Sequence, residues 1–489
     1  MGGIKRRVLS MPFNIPNFVP IIPELFMLSM ICVIIMTDVF VKQEQRIITY
    51  FLTQFTLVIT ALISLSMFHM PTTITFSGLF ILDPIATFLK LLIYIAGFFV
   101  FWYSRDYLGV RSIAIGENYI LGLLAILGMM VLVSSHNFLT LFLGLELSAL
   151  PVYAMVALWR ESVDGSEASM KYFVIGSLAS AMLLYGISML YGITGSLDMR
   201  VVANTLAHTD LSSNLFFMFG LIFVLVGIAF KFGAAPFHMW VPDVYEGAPS
   251  PMTLFISSVP KIAAYGLAVR LLIDALPGLH VQWQQILIVV AILSMALGNF
   301  AAIVQNNLKR MLAYSSISHM GYMSLGLLCA TPDGYAAGLF YMLAYAIMAL
   351  GGFAFIVLLS KAGFEADQVS DLKGLNTRNP WLAFMFLLLM FSMAGIPPSV
   401  GFFAKLGVLE ALIGVHLIWL AALALVFAII GSYYYIRVVK VMYFEEPEHY
   451  KPFTYSKDLA VAMSINGIAV LYFGMFPDSL ISICRAAFQ

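Results

Sequence analysis

Four ionisable side chains lie well inside long apolar runs of this sequence: Glu146, Lys231, Lys261 and Lys405. Placing one charge at the centre of a bilayer costs about 2.5–3.5 kcal/mol on insertion scales, so each residue needs a reason to be there. Desolvation favours the neutral form of both lysine and glutamate, which brings proton gain and loss towards neutral pH. Buried groups of these types are therefore better suited to carrying protons than to binding metal cations or organic substrates.

A static role is the alternative for these residues, since buried charges also form fixed ion pairs. Lys171 lies at the start of the sixth apolar run, where a lysine can instead extend its ammonium to the membrane surface. A lone histidine such as His319, in the tenth run, is usually a hydrogen-bonded core residue. Its segment aligns with the one that carries Glu146, so we include His319, with Lys171, among the candidate proton carriers.

Several other charges near segment ends have a simpler interpretation. Asp83 with Lys90, and Arg270 with Asp274, are spaced to pair along a helix. Lys90 and Lys309 can also extend to the membrane surface. We therefore assign these residues no role in chemistry.

Prolines interrupt the apolar runs close to the lysines. Pro236 has no N–H for the carbonyl of Phe232, so the helix that carries Lys231 must break or kink there. The run Gly395-Ile396-Pro397-Pro398 interrupts a later helix, and Lys405 follows about 10 Å further along. Irregular backbone is tolerated in a bilayer only where protein or water satisfies the freed groups. Pro260 likewise comes directly before Lys261. Two lysines beside helix irregularities, Lys231 and Lys261, therefore predict a polar cavity at membrane depth.

The composition explains why these charges must be considered within a membrane. The chain has 489 residues, of which 62% are hydrophobic and 10% charged, and its mean hydropathy is +0.96. A soluble domain is about half apolar and a quarter charged, so this excess needs lipid to cover it. The net charge of zero argues against a nucleic-acid partner.

Nothing in the sequence predicts a redox or metal centre on this chain. The cysteines Cys32, Cys329 and Cys484 are scattered without paired spacing, which supports neither a disulfide framework nor an iron–sulfur or zinc site. Dinucleotide fingerprints, P-loops and HExxH motifs are also missing from the sequence.

Apolar windows long enough to span a bilayer predict an all-α polytopic membrane protein with about fourteen transmembrane helices. The windows are residues 21–40, 47–67, 79–102, 119–135, 138–158, 170–193, 215–232, 252–275, 286–304, 311–330, 335–360, 381–414, 417–443 and 459–476.

The distribution of positive charge predicts the orientation. An even helix count puts both termini on one side, and most Lys and Arg residues fall in the odd-numbered loops. By the positive-inside rule those loops are cytoplasmic and both termini are external. The cluster Lys5-Arg6-Arg7 disagrees with this assignment, and Met11 is an alternative start of the chain.

The sequence also contains a faint internal repeat. NFLTLFLGLELSALPVY (residues 137–153) can be aligned with NNLKRMLAYSSISHMGY (residues 306–322). An offset of five helices, which is odd, makes the repeats inverted, and each half contains one interrupted helix. Paired helix interruptions of this kind are typical of transporters with repeated halves.

Several motifs resemble one family closely. KFGAAPFHMWVPDVYEGAPSPMT and SSVPKIAAYG resemble signatures of the antiporter-like membrane subunits of bacterial proton-translocating NADH:quinone oxidoreductase (respiratory complex I). The same two runs are closer to the subunit N group than to the related L and M groups. LFLGLELSALPVYAMVA, NLKRMLAYSSISHMGY and GIPPSVGFFAKLGVLEA fit the same family.

This resemblance implies a domain organisation. It implies two inverted five-helix repeats, each with a discontinuous helix, at residues 119–282 (helices 4–8) and 283–445 (helices 9–13). Three helices would precede them in residues 1–118, and a fourteenth helix would follow in residues 446–489.

The resemblance also implies roles for particular residues. Glu146 and Lys231 would form the coupling pair of a first half-channel, which Lys171 would modulate. Lys261 would be the central bridge, and His319 and Lys405 would carry protons towards a periplasmic exit. His238, just after the first break, would shape the channel.

The partners and location implied are those of a bacterial inner-membrane complex. The chain would contact the lipid bilayer and the other membrane-arm subunits, including the other antiporter-like ones. FMN, the iron–sulfur clusters and quinone would belong to partner subunits, with no cofactor on this chain.

Two alternatives stay open at this stage. A subunit of a multisubunit sodium/proton antiporter has related sequences but exchanges ions without redox chemistry. A passive scaffold that only spaces pumping subunits has no evident use for four costly buried charges.

Overall fold

The computed structural model describes residues 15–42, 46–111, 113, 115–208, 215–361, 363–447 and 456–488. These ranges contain nineteen α-helices: α1 Ile22–Phe40, α2 Ile47–Ser66, α3 Pro84–Arg111, α4 Ile115–Val133, α5 Phe138–Val156, α6 Val163–Thr194, α7 Met199–His208, α8 Leu215–Phe232, α9 Trp240–Gly247, α10 Ser250–Ala268, α11 His280–Ile303, α12 Leu308–Leu328, α13 Pro332–Leu359, α14 Leu375–Arg378, α15 Pro380–Ala394, α16 Val400–Gly414, α17 Ile418–Phe444, α18 Lys457–Met475 and α19 Asp478–Ala486. The Lys5-Arg6-Arg7 cluster and Met11 lie outside the described residues.

Twelve helices in the described ranges are long and apolar enough to cross a membrane. The other two predicted spans correspond to α12, which has 21 residues, and to the interrupted pair α15 and α16, which have 15 residues each. The all-α polytopic membrane fold is therefore confirmed, with two of the fourteen predicted spans less apolar or shorter than the rest.

Three helices are especially enclosed: α10, which carries Lys261, α12, which carries His319, and α13. The best membrane windows of α10, which continues as a π-helix to Ala275, and of α13 are 94% buried within the protein. Nearly every residue of α12 is buried as well, including His319 and four serines of that helix. Because the other helices shield α12 from lipid, it can be less apolar than a lipid-facing span.

A small β-hairpin precedes the third span. Strands β1 (Thr73–Thr75) and β2 (Phe80–Leu82) pair antiparallel, with Thr73 opposite Leu82. The third helix therefore begins at Pro84, and its predicted start at residue 79 is wrong. Asp83 fixes this boundary, since its Oδ1 accepts a hydrogen bond of 2.7 Å from the N–H of Ala86. A short apolar run does not by itself distinguish a strand from a helix.

Glycines bring two helix pairs into backbone contact. A Cβ on Gly128 in α4 would lie 2.3 Å from the backbone nitrogen of Ser148 in α5. A Cβ on Gly298 in α11 would lie 2.7 Å from the backbone nitrogen of Ser318 in α12. Close approach of this kind is the usual role of small residues at membrane helix crossings. This close approach fixes the position of α5, which carries Glu146, against α4. It likewise fixes α12, which carries His319, against α11.

The two aligned segments begin in the same way. Asn137 caps α5 by accepting a hydrogen bond from Leu139 N, and Asn307 caps α12 by accepting one from Arg310 N. The caps therefore pair Asn137 with Asn307. The sequence alignment paired Asn137 with Asn306, so the two alignments differ by one residue.

Contacts between loops define one face of the molecule. Arg105 at the end of α3 pairs with Asp458 at the start of α18, with 2.5 Å between nitrogen and oxygen. Arg111 donates to the backbone carbonyls of Lys361 and, at 3.1 Å, Phe364. These residues belong to the positively charged odd-numbered loops, so those loops share a face. The assignment of that face to the cytoplasm stays a prediction.

The glycine crossing yields a stability test. We expect Gly128→Ala to destabilise the folded chain by about 1–3 kcal/mol, because the added methyl group meets backbone that a rotamer change cannot move. The remaining monodisperse fraction after heating, measured by size-exclusion chromatography in detergent, reports this loss. Gly109→Ala in α3 is the matched control, since a Cβ there has nothing within 4 Å. Equal heat resistance of the two variants would contradict the crossing.

Candidate functional site

The first predicted break follows Lys231, and side chains satisfy its freed backbone groups. Helix α8 ends at Phe232, and Gly233 follows with a φ of +66°. The carbonyl of Phe232 accepts a hydrogen bond of 2.5 Å from the ammonium of Lys261. The Nε1–H of Trp240 donates to the carbonyl of Phe230 at 3.2 Å. The break thus has polar partners inside the protein, as a bilayer requires.

The ammonium of Lys261 is the central group of this arrangement. Lys261 is 1% exposed, and its Nζ lies 5.3 Å from the ring centroid of Trp240. Among the described residues it forms no ion pair with a carboxylate. A helix end and an aromatic face both favour a positive charge, so they serve as its counter-charge.

The second predicted break has the same chemistry. Helix α15 ends at Ala394, and Gly395 follows with a φ of +86°. Lys405 in α16 donates to the carbonyls of Met393 at 3.0 Å and Ala394 at 2.8 Å. Its Nζ also lies 5.3 Å from the ring centroid of Tyr322. Each half of the chain therefore has a lysine on the last carbonyls of a broken helix.

Glycine is required at the two positions that lie against these lysines. A Cβ on Gly233 would lie 3.1 Å from Lys261 Nζ, and a Cβ on Gly395 would lie 2.8 Å from Lys405 Cδ. Both glycines also have positive φ, which side chains rarely adopt. A larger residue would strain the backbone and displace the ammonium from its carbonyl.

A cavity of about 30 Å³ connects the first two lysines. Lys231 and Lys261 both line it, together with Ser148, Tyr172 and Pro260. A cavity needs roughly 10–15 Å³ to hold one water molecule and at least two polar partners for that water. A cavity large enough for water is therefore present beside the first break, and the two lysines are the charged members of a mostly apolar lining.

Glu146 and Lys231, the predicted coupling pair, are not joined by a direct contact among the described hydrogen bonds and ion pairs. Glu146 is half-buried in α5, and its Oε1 is shielded from solvent without a hydrogen-bond partner among the described residues. The described residues include no ion pair between Glu146 and Lys231. The Glu146 carboxylate thus has an oxygen that no described residue binds.

His319 lies between two tyrosines. Its Nδ1 is 2.7 Å from the hydroxyl of Tyr341, and its Nε2 is 3.1 Å from the hydroxyl of Tyr435. The Tyr435 hydroxyl also bonds Ser315. Tyr341 stacks on Tyr322, with 6.1 Å between ring centroids. Since Tyr322 also faces Lys405, a continuous set of contacts links His319 to Lys405.

Lys171 lies apart from the other candidates. Its helix begins at Val163, seven residues before the predicted window, so Lys171 is two turns inside α6. The side chain is 43% exposed and pairs with Glu167 at 2.9 Å and Asp243 at 2.8 Å. The structure therefore brings it to a polar cleft rather than to Lys231.

That cleft has a volume of about 440 Å³ and lies between the two halves of the chain. Charged side chains line it and form a network. Arg310 contributes a second cation, pairing with Asp243 at 3.1 Å and Glu246 at 2.6 Å. Burial alone would raise the pKa of Asp243, but its hydrogen bonds to Lys171 and Arg310 outweigh this and hold that pKa below its usual value. Asp243 is consequently ionised at neutral pH.

His238 lies in the first break and is half-buried. Its Nδ1 is shielded from solvent and has no hydrogen-bond partner among the described residues.

Two buried lysines that sequence reasoning set aside have specific partners. Lys309 is 4% exposed and donates to the carbonyl of Ala248, just past the end of α9, at 2.7 Å. Lys90 is 1% exposed and pairs with Glu24 at 2.5 Å. The predicted extension of these lysines to the membrane surface, and the predicted Asp83–Lys90 pair, are therefore wrong.

Asp83 instead pairs with Arg270. The two form a fork of 2.7 and 2.9 Å, while the predicted Arg270–Asp274 pair is confirmed at 2.8 Å. The Arg270 Nε–H also donates to the last carbonyl of α4, from Val133, at 2.9 Å. No sequence signal points to the Asp83 partner, because it lies 187 positions away.

Comparison with known proteins shows which family and which solved structures share this fold. Residues 135–431 match the family described as NADH:quinone oxidoreductase/Mrp antiporter, TM. A chain in the structure of respiratory complex I from Thermus thermophilus with bound aureothin aligns with a TM-score of 0.80 and 30% identity, covering 94% of this chain and 98% of that one. A chain of the Mrp complex from Dietzia sp. aligns with a TM-score of 0.84 at 20% identity, which shows the shared fold alone.

Relatives match over nearly the whole chain. NADH-quinone oxidoreductase subunit N of Coxiella burnetii is 57% identical over 483 residues, covering 98% of this chain and all of the relative. The subunit N of Nitrosomonas europaea is 50% identical over 479 residues, covering 98% and 99%. The fold and its broken helices define an antiporter-like membrane subunit. The chain belongs to the NADH:quinone oxidoreductase/Mrp antiporter family, within the group of NADH-quinone oxidoreductase subunits N, and the resemblance inferred from the motifs is confirmed.

The lysine on the second break yields a test. We expect Lys405→Met to leave two buried carbonyls without a donor, at a cost of about 1–3 kcal/mol. Hydrogen exchange followed by mass spectrometry in detergent should then be faster at the end of α15. Lys457→Met, which removes an exposed lysine at the start of α18, is the control. Unchanged exchange near residue 394 in Lys405→Met would show that the carbonyls do not depend on this ammonium.

Proposed function

We propose that this chain translocates protons across the membrane as a membrane-arm subunit of NADH:quinone oxidoreductase. Electron transfer from NADH to quinone takes place in other subunits. The proposed proton carriers are Glu146, Lys231, Lys261, His319 and Lys405. The proposal rests on one observation. Lys261 and Lys405 donate hydrogen bonds to the free backbone carbonyls at the ends of two interrupted helices.

Lys231 and Glu146 are the proposed loading step. Opening or closing an ion pair at about 4 Å changes the energy by about 4 kcal/mol at an effective dielectric of 20. A proton crossing the membrane gains about 2.3 kcal/mol per 100 mV. A switch of this one pair is therefore the right size to load or release one proton. The unpaired arrangement of the two side chains corresponds to the open state of this switch.

Transfer from Lys231 to Lys261 uses the shared cavity. A water molecule there accepts a proton from the Lys231 ammonium as it gives one of its own to the neutral amine of Lys261. The Lys261 ammonium that results is stabilised by the Phe232 carbonyl. Lys231 is then neutral and ready to be reloaded.

The second half of the path is proposed to run through His319 to Lys405. The tyrosine hydroxyls on both ring nitrogens allow His319 to take a proton on one side and release one on the other. Lys405 then holds the proton on the carbonyls of α15 before release to the exit side.

Lys171 is proposed to act from the entrance rather than within the path. Its ion pair with Asp243 connects α6 to α9, the short helix that follows the first break. Any shift of this pair moves the segment that contains Trp240, and through it the environment of Lys261. His238, in the break itself, is proposed to shape the same channel.

The proposed domain organisation is two inverted repeats, at residues 119–282 and 283–445, between an N-terminal unit (residues 1–118) and a C-terminal helix (residues 446–489). The matching asparagine caps of α5 and α12 support it. The matching glycines after α8 and α15 support it as well.

The proposed location is the bacterial inner membrane, with both termini on the periplasmic side. The proposed partners are the other membrane-arm subunits, including the other antiporter-like ones, within the lipid bilayer. FMN, the iron–sulfur clusters and quinone are assigned to partner subunits. Among the described residues no group of three or more His, Cys, Asp or Glu side chains is arranged to hold a metal ion.

Sodium/proton exchange is the second candidate, since the Mrp complex shares the fold. The likeness to subunit N across 98% of the chain favours the redox-coupled pump.

The proposed function has a direct test in a host that lacks its own subunit N. We expect Lys231→Ala to reduce both NADH-driven quinone reduction and proton uptake by inverted vesicles by about tenfold or more, because a positioned proton-transfer group contributes about 10²–10⁴ to a rate. Native gels verify assembly. Lys42→Ala, at an exposed lysine, is the control.

Two other results are possible in that experiment. Assembly with wild-type levels of both activities would mean that Lys231 is structural and the chain a scaffold. Proton movement driven by a sodium gradient, without NADH, would favour the antiporter.

The orientation has a separate test. We expect alkaline phosphatase fused after Gln489 to be active, because this reporter folds only outside the cytoplasm. A green fluorescent reporter at the same position should be dark. The opposite pattern would reverse the proposed orientation and would leave the proposal about the proton path unchanged.

A further inference from the structure

A groove of about 790 Å³ lies at the end of α17, and none of the proposed proton carriers lines it. It runs between α17 and the 3₁₀ turn Val369–Leu372. Three basic side chains line it: Lys373, Arg437 and Lys440. Glu445 is the acidic member of the lining, so the groove carries a positive balance.

Arg437 is held rigidly at the base of the groove. Its guanidinium donates to the carbonyl of Ile303 at 2.9 Å, at the end of α11, and to the carbonyl of Gln305. Its Nε is shielded from solvent and has no hydrogen-bond partner among the described residues. Lys440, by contrast, is exposed and forms no ion pair within the described part of the chain. The groove therefore combines a fixed cation with a mobile one.

An apolar strip leads from the groove along the exposed side of α17. Its members are Leu425, Ile429, Tyr433 and Ile436, which are 51%, 72%, 58% and 48% exposed. Tyr433 and Ile436 also line the groove. The strip is about 16 Å long at 1.5 Å per residue, and half of a hydrocarbon core is about 15 Å. One acyl chain of a single leaflet matches this length.

We propose that this groove binds an anionic phospholipid. The phosphate lies among Lys373, Arg437 and Lys440, and one acyl chain follows the strip on α17. Tyr433 stands where the headgroup meets the hydrocarbon, a position that aromatic residues favour. Basic pockets at helix ends suit anionic headgroups, while a zwitterionic lipid brings its own cation and gains less.

Native mass spectrometry of the full-length chain in detergent tests the charge requirement. Each basic side chain near the surface contributes enough for about a fivefold change in affinity. We expect Lys440→Ala to weaken retention of phosphatidylglycerol about fivefold and Lys440→Glu about 25-fold, with phosphatidylcholine unaffected. Lys457→Ala is the matched control, since this exposed lysine does not line the groove. Equal retention in all four proteins overturns the proposal.

A second measurement identifies the occupant in the assembled membrane complex. A photoreactive benzoylphenylalanine in place of Ile436 should crosslink to phospholipid, which mass spectrometry of the peptide detects. A crosslink to a neighbouring subunit instead overturns the proposal, because protein then covers the groove. Displacement of phosphatidylglycerol by millimolar inorganic phosphate also overturns it, since the site would then be one for a soluble anion.

Discussion

Backbone carbonyls cannot stay unpaired in hydrocarbon, and the interior of this protein is arranged around that constraint. Two helices end inside the protein, at Phe232 and at Ala394, and each leaves carbonyls without an intrahelical donor. Lys261 and Lys405 supply the missing donors. The helix ends stabilise the positive charges of these lysines. The lysine thus removes the cost of unpaired carbonyls, and the helix end lowers the cost of a buried charge. A charge that is tolerated in this way can be gained or lost as part of a mechanism.

The same constraint decides which helices are central. A span that carries charges or many hydroxyls cannot face lipid, so α10 and α12 are enclosed by their more apolar neighbours. Close glycine crossings allow this enclosure, as at Gly298 in α11. Lys261 and His319 consequently lie inside the bundle. Contacts through Tyr341 and Tyr322 link His319 to Lys405, and a cavity links Lys231 to Lys261.

Ion pairs elsewhere serve a different purpose, because they connect helices that are distant in sequence. Arg270 ties α10 to Asp83 and to the end of α4, which attaches the central helix to the N-terminal unit. The Glu24–Lys90 pair joins α1 to α3. Removing one partner of a buried pair is usually costly because the other charge is left behind. These pairs join helices directly, whereas Glu146 and Lys231 form no ion pair among the described residues.

The sequence by itself determined the membrane fold, both helix breaks and the lysines beside them, because proline chemistry and the cost of a buried charge are local properties. It could not decide the partners of those charges. Lys405 was predicted near a break, but only tertiary packing brings it back onto the carbonyls of α15. Lys90 was expected to pair with Asp83 along its own segment, and it pairs with Glu24 instead. Lys171 has the same residue type as Lys231 and a similar apolar setting, yet its helix carries it to an exposed charge network. Periodicity and composition describe one segment at a time, while an electrostatic partner is set by which segments meet in space.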